Sequence, residues 1–248
     1  MRILLSNDDG IDAPGLRILA ERLSATHEVW VVAPATEQSA KSHSLTMREP
    51  LRVSERGPRR FAITGTPADC VYIAVHDLLP EPPELVLSGI NDGSNLGNDV
   101  YYSGTVAAAR EAVLHGHTAI AISLERGSRS SEPFWDTAAT IAARLVERAP
   151  TLPPRTLLNV NVPNLPLPRI QGLRACRLGE RIYAPAVERR TDPRGKLYVW
   201  IGGPHLRFEG GSDADGIAVG EGWVSLTPLD PDATDRSALA SLARWTEA

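Results

Sequence analysis

The sequence has few cysteines and no long apolar run. Its 248 residues include two cysteines, Cys70 and Cys176, which lack Cys-x-x-Cys spacing. We therefore expect them to be small, buried apolar side chains in a reducing compartment. No segment approaches the roughly 20 apolar residues that a membrane-spanning helix needs, and residues 3–5 are too short for a signal-peptide core. These absences predict no membrane partner and a cytoplasmic location.

The sequence also lacks an excess of positive charge. It has 26 basic and 30 acidic side chains, which give a net charge of −4. A binder of nucleic-acid polymers needs surplus Lys and Arg to neutralise phosphates, so this balance argues against such a partner. A small charged ligand is compatible with this net charge, because a single pocket can be positive on an acidic protein. The length suits one large α/β domain or a domain with an appendage.

Several fingerprints of catalysis and nucleotide binding are missing as well. The sequence contains no GxGxxG, GxxxxGK[ST], GxSxG or HExxH motif. Its six histidines are scattered along the chain. His43 lies in a polar loop, where it could contact a substrate or simply be solvated, and we assign it no catalytic role.

What the sequence does contain is a repeating order of apolar runs and helical segments. Unbroken apolar strands that alternate with helices indicate a parallel sheet covered on both faces. We predict an α/β fold with a doubly wound, mostly parallel sheet over residues 1–170. Predicted strands cover residues 2–6, 29–33, 85–87, 119–122 and 157–162, and predicted helices begin at residue 14 or cover 69–79, 105–115 and 135–148.

The C-terminal part of the chain has a different character. Residues 171–230 combine β-prone stretches, such as residues 197–201, with Arg, Gly and Pro. We predict a β-rich extension here. Because an unpaired strand edge is a template for association, we expect this arm to pair with another subunit. Residues 231–248 are predicted to form a closing helix.

Three polar clusters follow predicted strands, at the edge of a parallel sheet where ligands bind. They are residues 7–10, residues 35–47 and residues 88–97. We expect all three to converge on one crevice.

The adjacent carboxylates of Asp8 and Asp9 indicate a cation site. Two neighbouring carboxylates repel each other unless a positive charge lies between them or one is protonated. A hard divalent cation fits, since Mg²⁺, Mn²⁺ and Ca²⁺ prefer oxygen ligands, and Asn91 would add a neutral oxygen. The alternatives are that the two aspartates cap the turn into the first helix and that the Asn-rich loop is a solvated turn.

A small polar turn, Tyr102-Ser103-Gly104-Thr105, runs directly into a predicted helix. Free N–H groups at a helix start, together with the helix dipole, bind phosphate. The alternative is an ordinary Thr N-cap. Beside a cation site, the turn is better interpreted as an anion cradle.

Taken in order, these motifs closely resemble one family, the survival protein SurE family of stationary-phase nucleotidases. The likeness spans nearly the whole chain. The segments that carry it are Arg2–Gly10, Ala13–Gly15, Val31–Pro34, Ser39, Ser44–Thr46, Gly65–Val71, Ser88–Asn91, Asn95–Gly97, Tyr102–Ala109, Leu158–Pro163 and Val224–Leu229.

The resemblance implies a Rossmann-like α/β fold and a site. The implied ligands of one divalent ion per subunit, Mg²⁺ or Mn²⁺, are Asp8, Asp9, Ser39 and Asn91, with Asp8 and Asp9 as the catalytic pair. The implied phosphate contacts are Asn95, Ser103, Gly104 and Thr105. The implied activity is hydrolysis of nucleoside 5′- and 3′-monophosphates, with short polyphosphate as a further substrate of some members. The implied assembly is a homodimer or homotetramer, formed partly through the C-terminal arm.

Two other functions use the same features. One is a nucleotide-binding regulator without catalysis, and the other is a sugar-nucleotide transferase, which the phosphate cradle favours less. For the hydrolase, we expect attack by water rather than a phospho-aspartate, because Asp8-Asp9-Gly10 lacks the DxD spacing of aspartate-nucleophile phosphatases.

Overall fold

A computed structural model describes residues 1–127 and 131–245 of the chain. Within these ranges the α-helices are α1 (Pro14–Leu23), α2 (Pro67–Ile73), α3 (Gly104–Leu114), α4 (Trp135–Arg148), α5 (Asp215–Gly220) and α6 (Arg236–Ala243). The strands are β1 (Arg2–Ser6), β2 (Glu28–Pro34), β3 (Val53–Gly57), β4 (Arg60–Ile63), β5 (Leu85–Asp92), β6 (Ala119–Glu125), β7 (Leu157–Pro163), β8 (Leu173–Ala175), β9 (Glu180–Tyr183), β10 (Val187–Thr191), β11 (Leu197–Ile201), β12 (His205–Glu209) and β13 (Val224–Leu229).

The main sheet has nine strands in the described ranges, in the order β3-β4-β2-β1-β5-β6-β7-β13-β8. The pairs from β4 through β7 are parallel, whereas β3 and β13 run antiparallel to their neighbours β4 and β7. The order β4-β2-β1-β5-β6-β7 is that of a Rossmann-type sheet. The strand order reverses between β1 and β5, because β2 and β4 lie on one side of β1 and the later strands β5, β6 and β7 lie on the other. The predicted α/β fold with a doubly wound, mostly parallel sheet is confirmed.

Helices cover both faces of this sheet, as the unbroken apolar strands require. Side chains alternate along β1, so that Ile3 and Leu5 pack with α1 and α4, while Leu4 packs with α2 and α3. Pro14 occupies the first turn of α1, where its missing N–H costs nothing. Each face therefore has its own apolar core, and both cores fix the strand ends that carry polar residues.

The predicted helix over residues 69–79 differs from the observed one. Helix α2 begins at Pro67, after the N-cap Thr66, whose hydroxyl accepts the N–H of Asp69 while the Asp69 carboxylate accepts the N–H of Thr66. The helix ends at Ile73, and a π-helical turn then covers Ala74–Leu78. The sequence pattern did not separate these two forms, because apolar residues of both segments pack into the same core.

Segment 171–230 contributes to the main sheet as well as to an extension. Strands β8 and β13 lie in the nine-stranded sheet, and β13 pairs along the length of β7. The remaining strands form two separate two-stranded ribbons, β9 with β12 and β10 with β11. Helix α6 lies in the predicted closing segment. None of the described helices is long and apolar enough to cross a membrane.

Candidate metal and phosphate site

The turn Asn7–Gly10 follows the end of β1, next to the point where the strand order of the sheet reverses. The Asn7 side-chain amide donates to the Gly10 carbonyl at 2.9 Å, and the Ile11 N–H donates to the Pro34 carbonyl at the end of β2. Gly10 has a φ of +100°, a conformation that costs glycine little. The turn therefore holds both aspartates in a fixed place between β2 and β5.

Asp8 is almost fully buried and lies against the first turn of α3. The Thr105 hydroxyl donates to Asp8 Oδ1 at 2.5 Å. A Cβ atom on Gly104 would come within 2.8 Å of Asp8 Cβ and 2.9 Å of Oδ2. Only a glycine lets the helix approach the carboxylate this closely. Thr105 is therefore not a plain N-cap, and that alternative is wrong: Ser103 is the cap, since its hydroxyl accepts the Val106 N–H at 3.0 Å.

Asp9 is partly exposed and points its carboxylate to the end of β5. The Asp92 N–H donates to Asp9 Oδ2 at 3.0 Å. A cavity of about 180 Å³ opens beside it, and its lining includes Asp9, Glu37, Asp92 and Trp135. Asp92 itself is bound by the Arg126 guanidinium at 2.8 Å. A cation that enters beside Asp9 would therefore meet acidic groups.

The surroundings of Asp8 and Asp9 disfavour the charged forms of both carboxylates. Burial raises the pKa of Asp9 to about 7, and the negative charge of Asp8 adds to the effect. Burial likewise raises the pKa of Asp8, although hydrogen bonds from the Thr105 side chain and nearby amides oppose it. Within residues 1–127 and 131–245, no ion pair joins either aspartate to Arg, Lys or His. Neither aspartate caps α1, whose N-cap Ala13 has no side-chain hydrogen bond, so the capping alternative is wrong.

Ser39 and Asn91 each lie one residue from a backbone contact with this pair. The Gln38 N–H donates to the Asp8 carbonyl at 2.7 Å, and the next residue, Ser39, is exposed. The Ser39 hydroxyl donates to Glu37 Oε1 at 2.8 Å. Asn91 precedes the Asp92 amide that binds Asp9. Its side-chain N–H donates to the Gly93 carbonyl at 2.7 Å, so its oxygen is the atom left for a ligand.

Asn95 is buried, and hydrogen bonds to its backbone N–H and carbonyl hold it in place. Its N–H donates to Asn161 Oδ1 at 2.8 Å, and its carbonyl accepts the side-chain N–H groups of Asn159 and Asn161. The Asn95 side chain donates to the Ser123 hydroxyl at 2.8 Å. Strands β6 and β7 thus fix the turn that follows β5, and the predicted phosphate contact Asn95 lies in that turn.

Sequence reasoning missed two features of the crevice. The sequence pattern predicts no role for Asn7, yet its Oδ1 is buried and has no hydrogen-bond partner among the described residues, which is rare for a buried polar atom. Its position beside the acidic pair is the signal that points to it. The pattern predicts Asn159 and Asn161 only as part of a buried strand, although alternating asparagines in an apolar run indicate buried polar contacts.

The donor set fits a hard divalent cation. It consists of carboxylates, a hydroxyl and amide oxygens, with no excess positive charge beside Asp8 and Asp9. In the part of the chain that the structure describes, no three His, Cys, Asp or Glu side chains cluster as a metal site. A cation bound here would therefore have carboxylates and neutral oxygens as its ligands and not a set of His or Cys side chains.

Fold and site together define a class: a doubly wound α/β protein with an acidic pair at the point where the strand order reverses. A family model described as "Survival protein SurE" matches residues 3–185. The chain belongs to the SurE family. It is 48% identical to a protein of Geobacter metallireducens named "5'-nucleotidase SurE", over 99% of this chain and 97% of that one.

Other comparisons agree. A protein of Alkalilimnicola ehrlichii with the same name is 49% identical, over 99% of this chain and 95% of its own length. The crystal structure of the SurE protein from Aquifex aeolicus superimposes with a TM-score of 0.87 at 37% identity, and the match covers all of both chains. The similarity therefore extends beyond the residues matched by the family model, through the C-terminal arm.

Proposed function

We propose that the protein is a divalent-metal-dependent phosphomonoesterase that hydrolyses nucleoside 5′- and 3′-monophosphates to nucleoside and phosphate, with short polyphosphate as a further substrate. The names of the relatives support the 5′-nucleotidase activity. The observation that carries the metal dependence is the pair Asp8 and Asp9, which lies at the switch point of the sheet. Among the described residues, neither carboxylate forms an ion pair with a cationic side chain.

Four residues would hold one Mg²⁺ or Mn²⁺ ion per subunit: Asp8, Asp9, Ser39 and Asn91. When bound, the ion would offset charge on the phosphoryl group and lower the pKa of a coordinated water. The chain's own part is to orient both carboxylates. Thr105 fixes one oxygen of Asp8, and the Asp92 amide fixes one oxygen of Asp9. One of the two carboxylates would orient the attacking water.

The phosphate would lie beside the acidic pair and the start of α3, near Asn95, Ser103, Gly104 and Thr105. Support comes from the positive end of the helix dipole, which the close approach of Gly104 to Asp8 brings next to the acidic pair. Fixed donors of this kind stabilise the charge that spreads over the phosphoryl oxygens during transfer. Because the Thr105 hydroxyl already binds Asp8, its contribution to phosphate would come from the backbone.

The central test is Asp8→Asn, which keeps the shape of the side chain and removes a charge. We expect phosphate release from adenosine monophosphate with Mn²⁺ to fall by about a hundredfold or more, since the charge stabilisation supplied by a metal ion is worth several kcal/mol. The matched control is Asp12→Asn, an exposed carboxylate in the same turn, which should stay at the native rate. Native activity in Asp8→Asn would disprove the role of the pair.

The same assay separates the two rival functions. A nucleotide-binding regulator would bind adenosine monophosphate and Mn²⁺ but release no phosphate over hours. A sugar-nucleotide transferase would need an acceptor and form a glycosidic product. Chelation followed by return of Mg²⁺ or Mn²⁺ should abolish and then restore phosphate release.

We further infer a homodimer or homotetramer that forms through the arm in residues 171–230 and works in the cytoplasm. The exposed apolar side chains of β10 and β11 support the assembly. The two free cysteines, Cys70 and Cys176, suit a reducing compartment. Neither a membrane nor a nucleic-acid polymer is part of the proposal.

A further inference from the structure

The segment that carries Ser39 has no regular structure of its own. We call residues 35–52, between β2 and β3, the Ser39 loop. Two of its non-glycine residues, Ala40 and Ser42, have positive φ values of 58° and 54°. Such conformations cost energy in residues with a Cβ atom and persist only where surrounding contacts impose them. The shape of the Ser39 loop therefore depends on what it touches.

Hydrogen bonds hold the Ser39 loop on both sides of Ser39. Before Ser39, the Gln38 N–H binds the Asp8 carbonyl at 2.7 Å. After it, the Ser42 hydroxyl donates to the Tyr101 carbonyl at 2.7 Å. Further along, the Thr46 N–H and hydroxyl donate to the Asp69 carboxylate at 2.8 and 2.7 Å. The loop thus lies across the start of α3 and the start of α2.

One side chain of the loop contacts a buried carboxylate of the core. His43 Nε2 lies 2.6 Å from Glu111 Oε2, within hydrogen-bond distance. Glu111 is only 3% exposed, and a carboxylate this buried needs partners. It stands seven residues, about two helical turns, after Gly104 in α3. His43 therefore joins the loop to the same helix whose first turn touches Asp8.

A second histidine contacts the same carboxylate without touching the loop. His115 Nε2 lies 3.0 Å from Glu111 Oε1, from a position four residues later at the end of α3. Its other ring nitrogen lies 3.0 Å from His76 Nε2. Each oxygen of Glu111 thus has one histidine partner. Only the partner from the loop crosses between two segments of the chain.

We propose that His43 is a positioning residue, which holds the Ser39 loop against α3 through Glu111 and thereby sets the affinity of the site for its divalent cation. The inference rests on the proposed function in one respect, that Ser39 is a ligand of the cation. Without the His43 contact, this end of the segment is held to the residues before α3, in the described part of the chain, by Ser42 alone, whose hydroxyl donates to the Tyr101 carbonyl at 2.7 Å and whose N–H donates to the Tyr102 carbonyl at 3.1 Å. The loop then samples conformations in which the Ser39 oxygen is displaced from the crevice.

The experiment compares four variants of the full chain: His43→Ala, His43→Asn, His43→Gln and His115→Gln. Binding of Mn²⁺ is measured without substrate, by electron paramagnetic resonance of the free ion, and amide hydrogen exchange is followed in residues 35–52 and in α3. We expect the Kd for Mn²⁺ to rise about tenfold in His43→Ala, the lower end of the loss typical for an outer-shell partner. Exchange should accelerate in the Ser39 loop but not in α3.

The two amide variants differ by one methylene group and supply the rescue test. The Gln side chain reaches the Glu111 carboxylate and donates to it, so His43→Gln should bind Mn²⁺ close to the native affinity. The Asn side chain is shorter, so His43→Asn should bind Mn²⁺ as weakly as His43→Ala does. If the alanine variant does not fold, His43→Asn replaces it in the comparison with the native protein. His115→Gln alters the same carboxylate from the helix side and should leave both Mn²⁺ affinity and loop exchange unchanged.

Three results would overturn the proposal: native Mn²⁺ affinity in both His43→Ala and His43→Asn, equal weakening in His115→Gln, or no rescue in His43→Gln. Because no substrate is present, a lack of nucleotidase activity does not affect these readouts. Failure of the native protein to bind Mn²⁺ would reject the proposed metal site. In that case, unchanged loop exchange in His43→Ala would separately reject the positioning role.

Discussion

Gly104 is the residue at which α3 and the acidic turn approach most closely. In an ordinary helix, alanine in place of glycine adds about 0.5–1 kcal/mol of stability. Here a Cβ atom would lie 2.8 Å from Asp8 Cβ and 3.1 Å from Pro67 Cγ, so Asp8 or the helix must move. We expect Gly104→Ala to lower phosphate release from adenosine monophosphate by about tenfold or more, since small displacements of catalytic groups are costly.

Gly220, at the end of α5, provides the matched control for this substitution. It is also helical, has no positive φ, and has open space where a Cβ atom would be. Gly220→Ala should keep the native rate. Equal rates for the two variants would mean that the contact between α3 and Asp8 has no part in catalysis.

Asp9 links the stability of the metal-free protein to pH. Its folded pKa is raised to about 7, mainly by burial, whereas an unfolded aspartate titrates near 4. A raised carboxyl pKa contributes stability that is complete below about pH 4 and is lost as the pH rises through about 7. In the presence of a chelator, the free energy of unfolding of the native protein should therefore fall over this window relative to that of Asp9→Asn.

Urea unfolding of both proteins at several pH values between 4 and 8 measures this difference. Addition of Mn²⁺ should remove the loss for the native protein, because a bound cation favours the ionised carboxylate. Parallel pH curves for the native protein and Asp9→Asn would contradict the raised pKa. Asp8 changes in the same direction, so some pH dependence should persist in the variant.

At the scale of elements, β7 supports the turn after β5 through its asparagines. Asn161 is fully buried, and both its amide oxygen and its amide nitrogen bind the backbone of Asn95. We expect Asn161→Ala to cost about 1–3 kcal/mol, since the Asn95 N–H and carbonyl lose a buried partner. The control is Ser225→Ala on the adjacent strand, which removes a buried hydroxyl without a hydrogen-bond partner among the described residues. Urea unfolding should show the loss for Asn161 alone.

The elements that sequence predicted well are those that local pattern dictates. Apolar runs located β1, β2, β5, β6 and β7, and the predicted helices that begin at residue 14 and cover 105–115 correspond to α1 and α3. The pattern ended β5 at residue 87, whereas the strand runs to Asp92, because Ser88-Gly89 resembles a loop. At Gly89 a Cβ atom would lie 2.3 Å from the Ile122 carbonyl oxygen, so the glycine marks close packing against β6 there and not a turn.

The rest of the site could be predicted only in part. Residue type pointed to Asp8 and Asp9, but the contact of Thr105 with Asp8 joins residues 97 positions apart. The contact of His43 with Glu111 spans 68 positions. No periodicity or composition encodes such pairs, because they arise when separate elements pack. The roles of Ser39 and Asn95 came from the family resemblance, whereas Asn91 was also indicated by the Asn-rich loop, and all three remain predictions.

At the scale of the whole molecule, the sheet does not end where the regular alternation of strands and helices ends. Strand β13 returns to pair with β7, and β8 adds the last strand beside it. The Arg177 N–H binds the Asp213 carbonyl, and the Asp215 carboxylate accepts the Gly97 and Gly179 N–H groups. The base of the extension is therefore tied to the core, next to the loop that follows β5.

No hydrogen bond or ion pair joins the β10–β11 hairpin, residues 187–201, to the core in the part of the chain that the structure describes. Every residue of both strands is exposed, and Trp200 and Ile201 are 63% and 88% exposed. An isolated two-stranded hairpin is at best marginally stable in water, and exposed apolar patches mark association surfaces. The hairpin therefore fits the predicted role of the arm in joining subunits, since a second copy of the chain would cover its apolar side chains.

The test of this assembly is the double variant Trp200→Glu with Ile201→Glu, which places a charge on each face of β11. We expect the molar mass from sedimentation equilibrium to fall from that of a dimer or tetramer toward that of one chain, because like charges at an apolar contact cost both desolvation and repulsion. The control is Leu114→Glu, where a leucine of similar exposure lies outside the arm; it should leave the mass unchanged. A native protein that is monomeric, or a double variant that keeps the native mass, would mean that the hairpin does not join subunits.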